Sequence, residues 1–254
     1  MTIYFLGTGT SQGVPVIGCK EGVCLSEDIR DRRLRVSVWI ATDDASIVVD
    51  CGPDFRQQML ASKCEKVDAI LFTHEHADHT AGLDDIRPFN FVYGDMPIFA
   101  HQRVLQNLEM RFQYIFETEN KYPGAPSVIT NEVVENQDFT INKTTVRPIK
   151  AWHGTLPIFG YRIGDFAYLT DIKTIDADEM EKLKNLKLLV INALRIEPHP
   201  THFNLEEALD FIKKINPKKS YLTHISHTFG FHQDIENNLP ENVFLAYDNL
   251  ILNV

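Results

Sequence analysis

The chain has little of three things that would settle its class at once: cysteine, basic charge and long apolar runs. Only 4 of its 254 residues are cysteine, too few and too scattered for a disulfide-held scaffold. Lys and Arg number 25 against 35 Asp and Glu, a formal net charge of −10. That balance argues against a general binder of long nucleic acid or of an anionic membrane. The most apolar late run, Leu186 to Ile196, contains Lys187, Asn192 and Arg195 and does not suit a bilayer. The opening MTIYFLG has no basic n-region. The expectation is a cytoplasmic protein with reduced thiols and no membrane partner. Gly-, Ser- or Pro-rich linkers, low-complexity tracts and 20–50-residue repeats are also missing. The sequence therefore reads as one domain over residues 1–254.

What is present is apolar residues at 44%, enough for a sizeable core, and 10 histidines. Short β-rich runs predict strands at 2–6, 34–41, 46–50, 69–73, 145–149, 160–163, 166–170, 188–192, 220–223 and 243–245. Longer amphipathic stretches predict helices at 53–62, 102–116, 178–183 and 205–215, with a short one after Gly230. Asn204 stands where an N-cap belongs, before Leu205-Glu206-Glu207. Strands that pair as hairpins with helices interspersed point to two sheets with helices outside.

The densest chemistry follows the strand at 69–73, in Thr73-His74-Glu75-His76-Ala77-Asp78-His79. Imidazole and carboxylate are ligands of zinc, manganese and iron. In an extended segment His74 and His76 share a face. Asp78 and His79, at the turn into a helix, can face a second ion, a spacing that suits a dinuclear centre. The plain alternative is a solvated polar turn.

This T-H-x-H-x-D-H run resembles the signature of the metallo-β-lactamase superfamily, and later residues resemble its remaining ligands in order. They are His153 in Ala151-Trp152-His153-Gly154, Asp171 in Leu169-Thr170-Asp171 and His224 in Leu222-Thr223-His224. The resemblance implies an α/β (α+β) fold, a four-layer αββα sandwich with its site at the C-terminal rim of the strands. It implies one metal on His74, His76 and His153, a second on Asp78, His79 and His224, and Asp171 between them.

Within that superfamily, Gly7-Thr8-Gly9-Thr10-Ser11-Gln12-Gly13-Val14-Pro15 resembles the start of the cyclic-phosphodiesterase and RNase Z branches. Gly18-Cys19-Lys20-Glu21-Gly22-Val23-Cys24 resembles the C-x-C-x-x-C zinc knuckle of phosphoribosyl 1,2-cyclic phosphate phosphodiesterases and their pyrroloquinoline-quinone-associated relatives, with Glu21 in place of the middle Cys. The knuckle's fourth ligand would be His227, in Thr223-His224-Ile225-Ser226-His227. Cys19, Glu21, Cys24 and His227 are thus candidates for a structural zinc; plain thiols are the alternative. Asp50-Cys51-Gly52-Pro53-Asp54-Phe55-Arg56, Ala81 to Phe89 and Thr201-His202-Phe203-Asn204 also match this branch. By resemblance His202 reaches the site and protonates the leaving oxygen, and Asp78 helps orient the attacking hydroxide. Cys51 and Cys64 read as core residues; His101, His199 and His232 read as surface residues; Arg87 and Arg195 receive no role.

The expected function is metal-dependent hydrolysis of a small or cyclic phosphodiester by two divalent ions, zinc or manganese, with iron a third candidate. The rivals are a tRNA 3′-end endonuclease, disfavoured by the acidic charge, and a non-catalytic carrier like the quinone-associated relatives. A homodimer is the general expectation for a soluble enzyme.

Overall fold

Two seven-stranded sheets stack face to face in the structure, a computed structural model that describes residues 1–119 and 121–254. In chain order the strands are β1 (Thr2–Gly7), β2 (Ser37–Ala41), β3 (Ser46–Val49), β4 (Ala69–Leu71), β5 (Met96–Ala100), β6 (Val128–Glu132), β7 (Phe139–Ile141), β8 (Thr144–His153), β9 (Leu156–Ile163), β10 (Phe166–Leu169), β11 (Leu188–Asn192), β12 (Lys219–Thr223), β13 (Val243–Leu245) and β14 (Ile251–Asn253). One sheet runs β14-β1-β2-β3-β4-β5-β6 and the other β13-β12-β11-β10-β9-β8-β7. The helices are α1 (Phe55–Ser62), α2 (Ala77–Thr80), α3 (Arg87–Tyr93), α4 (Gln102–Arg111), α5 (Gln113–Phe116), α6 (Ala177–Glu181), α7 (Leu205–Ile215) and α8 (His232–Glu236). Among the described residues no helix is long and apolar enough to cross a membrane.

The unbroken apolar runs of the central strands are explained by burial on both faces. In β11, Leu188 and Val190 join the core between the sheets, while Leu189 and Ile191 face outward to α7. In β3, Ile47 and Val49 point inward and Val48 packs under the helices of the other side. The result is the expected four-layer order of helix, sheet, sheet and helix. Helix α7 shows why the local sequence folds as it does. Ala208, Phe211, Ile212 and Ile215 bury one stripe, and Asn204 with Glu207 closes a full capping box.

Four strands escaped the sequence reading: β5, β6, β7 and β14. The predicted helix 102–116 is broken at Phe112, whose backbone (φ −127, ψ 42) leaves the helical region and divides α4 from α5. Strand β8 continues past the predicted 149 to His153, and β9 begins four residues before the predicted 160. The longer hairpin carries His153 to the rim where the parallel strands end.

Candidate metal centre

Every residue of the expected ligand set lies at or just beyond the C-terminal end of a strand. His74, His76, Asp78 and His79 follow β4, His153 ends β8, Asp171 follows β10 and His224 follows β12. Loop contact there depends on small residues. A Cβ on Gly52 would sit 2.1 Å from the Asp78 carbonyl oxygen, and one on Gly82 would sit 2.0 Å from that of Gly52. Asp50, Asp171 and His224 all adopt left-handed backbone, with φ of 65, 61 and 59. For non-glycine residues such conformations cost ~1–3 kcal/mol each and concentrate at functional sites.

Two donor clusters form. The ligand atoms of His74, His76 and His153 lie within 4.8 Å of one another, and so do those of Asp78, His79 and His224. Asp171 stands between them, grouped with His74 and His79 on one side and with His153 and His202 on the other. His79 Nε2 is 3.2 Å from Asp78 Oδ2 and 3.3 Å from Asp171 Oδ2, and His224 Nε2 is 3.1 Å from Asp171 Oδ1. Two ligands of one tetrahedral ion, each ~2.0–2.1 Å from it, stand ~3.3 Å apart. The spacing is that of a ligand shell.

Hydrogen bonds fix which ring nitrogen is free. The fully buried Asp50 carboxylate accepts from Thr73 N (2.8 Å), Thr73 Oγ1 (2.9 Å) and His79 Nδ1 (2.7 Å). With its hydroxyl proton committed to Asp50, Thr73 Oγ1 accepts from His74 Nδ1 at 3.0 Å. His153 Nδ1 donates to the Thr201 carbonyl at 2.8 Å. In the neutral rings of His74, His79 and His153 the Nε2 atoms then carry the lone pair and are aimed into the clusters, the usual arrangement behind metal-bound imidazole. His74 Nε2 faces His76 Nδ1 at 2.9 Å.

The chemistry of this donor set fits divalent cations. Among the described residues, His79 Nε2, His202 Nδ1 and both nitrogens of His224 are buried without a hydrogen-bond partner, a costly state unless a ligand satisfies them. Burial opposes charge on His79, yet the carboxylates of Asp171, Asp50 and Asp78 hold its pKa well above the ordinary imidazole value. His224 is likewise penalised by burial but raised to about 9 by Asp171. These carboxylates draw positive charge inward, which divalent ions would supply without protons.

His202 reaches the same centre from just ahead of α7. Its ring centroid is 4.4 Å from that of His153 and 4.8 Å from that of His224, and its Nδ1 is 3.6 Å from Asp171 Oδ1. Burial pushes its pKa down to about 3 against the opposing pull of Asp171.

In the knuckle-like segment, Cys19, Glu21 and His227 converge within 4.8 Å. Cys24 stands outside that group but beside Cys19, and its Sγ accepts from Val16 N at 3.5 Å. His227 Nδ1 is buried with no hydrogen-bond partner among the described residues, and its Nε2 lies 3.8 Å from Glu21 Oε2. Cys51 and Cys64 are buried in the core under the helices.

Of the three histidines expected at the surface, His232 needs correction and the other two are partly covered. His232 is 2% exposed, its Nδ1 3.1 Å from Arg33 Nη2 inside the fold. His199 is half-buried against His202, with ring centroids 5.0 Å apart. His101 is half-buried and caps α4, its Nδ1 accepting from Arg103 N. Arg195 braces the loop that bears His202 through the carbonyls of Glu197 and Pro198. The sequence reading missed Asp50 and Thr201 as orienting groups, although both lie in segments it had matched.

The fold and the clustered donors are those of a metallo-β-lactamase-type hydrolase, and a family model for the beta-lactamase superfamily domain matches residues 45–225. The chain belongs to that superfamily. Within it the chain falls in the PhnP branch: it is 39% identical to a solved structure described as a new diphosphatase from the PhnP family, with a TM-score of 0.92 over 100% of this chain and 97% of that one. An octanoyltransferase of Porphyromonas gingivalis is 44% identical over 252 residues, 98% of this chain but 51% of the relative. A ribonuclease Z of Bacillus licheniformis is 28% identical over 198 residues, covering 73% of this chain and 58% of that protein. The chain thus spans about half the length of the curated relatives it matches.

Proposed function

We propose that the protein hydrolyses a small or cyclic phosphodiester at a dinuclear metal centre. The observation that carries this reading is the convergence of two donor triads on either side of Asp171, with the His79 and His153 rings oriented by Asp50 and Thr201. His74, His76 and His153 would hold one ion, Asp78, His79 and His224 the other, and Asp171 would contact both. Zinc and manganese suit the donors, with iron third. When bound, such a pair of ions neutralises phosphoryl charge and makes hydroxide available near neutral pH.

The chain's own residues do the rest. Asp50 and Thr201 keep the ligand tautomers fixed. Asp78 and Asp171 would help orient the attacking oxygen. His202 is the acid for the leaving oxygen. Burial keeps it neutral without substrate, and an anionic phosphate beside it would stabilise its protonated form, so the proton would be held where the alkoxide departs. Cys19, Glu21, Cys24 and His227 would hold a structural zinc that ties the knuckle to the turn after His224.

The diphosphatase relative supports a second substrate class, a phosphoanhydride, since both reactions displace an oxygen at phosphorus. Precursor tRNA, suggested by the ribonuclease Z relative, meets an acidic chain of net charge −10. Octanoyl transfer is left aside, because the centre gathers ion-holding imidazoles and carboxylates. Metal-loaded protein should be assayed against bis-p-nitrophenyl phosphate, a cyclic ribose phosphate, a nucleotide diphosphate ester and precursor tRNA. Fastest turnover of the cyclic or small diester is expected; preferred cleavage of the anhydride or the tRNA would replace that substrate class.

A further inference from the structure

One charged residue of the T-H-x-H-x-D-H segment has no part in the ligand set. Glu75 lies between His74 and His76, and its side chain is only 16% exposed. Arg103, at the start of α4, grips its carboxylate with both arms: Nε donates to Oε1 at 2.8 Å and Nη2 to Oε2 at 3.0 Å. The same Nη2 donates to the Pro157 carbonyl at 2.7 Å. One guanidinium thus joins the ligand loop to the β8–β9 hairpin that bears His153.

Arg111, eight residues further along the same face of α4, completes the grip. Its Nη1 donates to the Glu75 main-chain carbonyl at 3.0 Å and to Thr80 Oγ1 at 2.8 Å. Thr80 Oγ1 in turn donates to the His76 carbonyl at 2.8 Å. His101 holds the first turn of α4 by accepting from Arg103 N. A simple exposed ion pair is worth ~0–1 kcal/mol, but here a planar fork meets a mostly buried carboxylate in two parallel bonds, the geometry in which arginine fixes position as well as charge.

The neighbouring ligands are held differently. His79 is locked by Asp50 and His153 by Thr201. His76 is exposed, and its ring meets only other ligand histidines among the described residues, His74 at 2.9 Å and His153 with ring centroids 5.2 Å apart. What fixes His76 is its backbone.

We propose that Arg103 and Arg111 are positioning residues for the His74–His76–His153 metal subsite, acting through Glu75 and Thr80 to hold the ligand loop against the His153 hairpin. This rests on the reading of those histidines as ligands. The clamp acts chiefly on the first subsite, whereas the His79 ring of the second is oriented by Asp50.

The test uses the full chain with Arg103→Met, Arg103→Lys, Arg111→Met and Glu75→Gln. Hydrogen exchange is followed in metal-stripped and zinc-loaded protein, and zinc affinity is measured by chelator competition. The amides of His79 and Ala81, bonded to the His76 and Ala77 carbonyls, should exchange faster in the Met and Gln variants, with β1–β3 unchanged. One zinc equivalent should weaken ~10–100-fold, the loss typical of an orienting partner, and the other should hold. Lysine at 103 should restore only part, because it cannot form the fork. Glu75→Gln keeps side-chain volume and guards against a folding defect in the arginine variants. Unchanged exchange at His79 and Ala81 in metal-stripped protein overturns the clamp. So does faster exchange with both zinc affinities intact, or equal weakening of both equivalents. If the wild type takes up no zinc at all, the metal reading fails, and the exchange data alone judge the clamp.

Discussion

Replacing Asp50 by Asn should cost metal affinity far more than it costs the fold. The carboxylate accepts three hydrogen bonds, from Thr73 N, Thr73 Oγ1 and His79 Nδ1. Asn keeps the volume and one oxygen, which can still accept from Thr73 N. Its amide nitrogen then faces the Thr73 hydroxyl and the His79 ring where only acceptors belong. His79 can escape by moving its proton to Nε2, and that places a proton where the ion must bind. Each hydrogen bond to a charged group contributes ~1.5–3 kcal/mol. Burial raises the Asp50 pKa, however, so its ionised form is costly in the fold, and removing the charge offsets part of the structural loss. The expected outcome is a second ion weakened ~10–100-fold, or ~1.4–2.7 kcal/mol, with the melting temperature of metal-stripped protein nearly unchanged. Chelator competition with zinc and differential scanning calorimetry of the stripped protein read the two quantities separately. If Asp50→Asn bound two ions with wild-type affinity, the orienting role would be refuted. A collapse of the stripped protein's melting temperature would show instead that the carboxylate mainly serves the fold.

Three further outcomes can be checked. His202→Ala should retain both metals yet lose ~10²–10⁴-fold in kcat on a diester with an alkoxide leaving group, and much less on a p-nitrophenyl ester whose leaving group needs no proton; equal losses on both would remove the acid role. His232 sits near pKa 4 because burial, then Arg33, disfavours its cation. The unfolded chain, at ~6.5, binds more protons between those values, so stability rises with pH across that interval. Urea midpoints should fall from pH 6.5 toward 4 in the wild type and fall less in His232→Gln. Finally, Glu21→Cys should tighten a third, structural zinc equivalent and Cys19→Ser should release it, read by metal analysis after gel filtration; identical zinc contents in both variants would exclude the knuckle site.

The sequence made the centre legible where its chemistry is contiguous. His74 to His79 crowd six positions, and the later residues follow strand ends in order. Asp50 was opaque because its meaning lies in His79, 29 residues away, and because an aspartate after a strand looks like any turn residue. His232 looked superficial beside Phe231 and Gln233, yet its partner Arg33 comes from 199 positions earlier and buries it. Strands β5 and β6 were hidden for a related reason. Met96–Ala100 contains Pro97, and Val128–Glu132 is largely exposed at the sheet edge, so neither shows a clean alternation without its neighbour. The break at Phe112 likewise leaves no mark in an amphipathic pattern that runs on through Phe116.

The left-handed turns at Asp50, Asp171 and His224 carry a consequence for protein engineering. At each position glycine would adopt the same backbone without steric penalty, and at the two aspartates it would also remove a buried carboxylate. Against that gain, glycine at Asp50 would strand Thr73 N, Thr73 Oγ1 and His79 Nδ1 inside the fold, and at all three positions it would leave a cavity. A library screened for survival on heating in the presence of chelator would therefore meet opposed pressures there. Screening with metal present adds a pressure toward the native residues, since bound ions then reward the strained conformations.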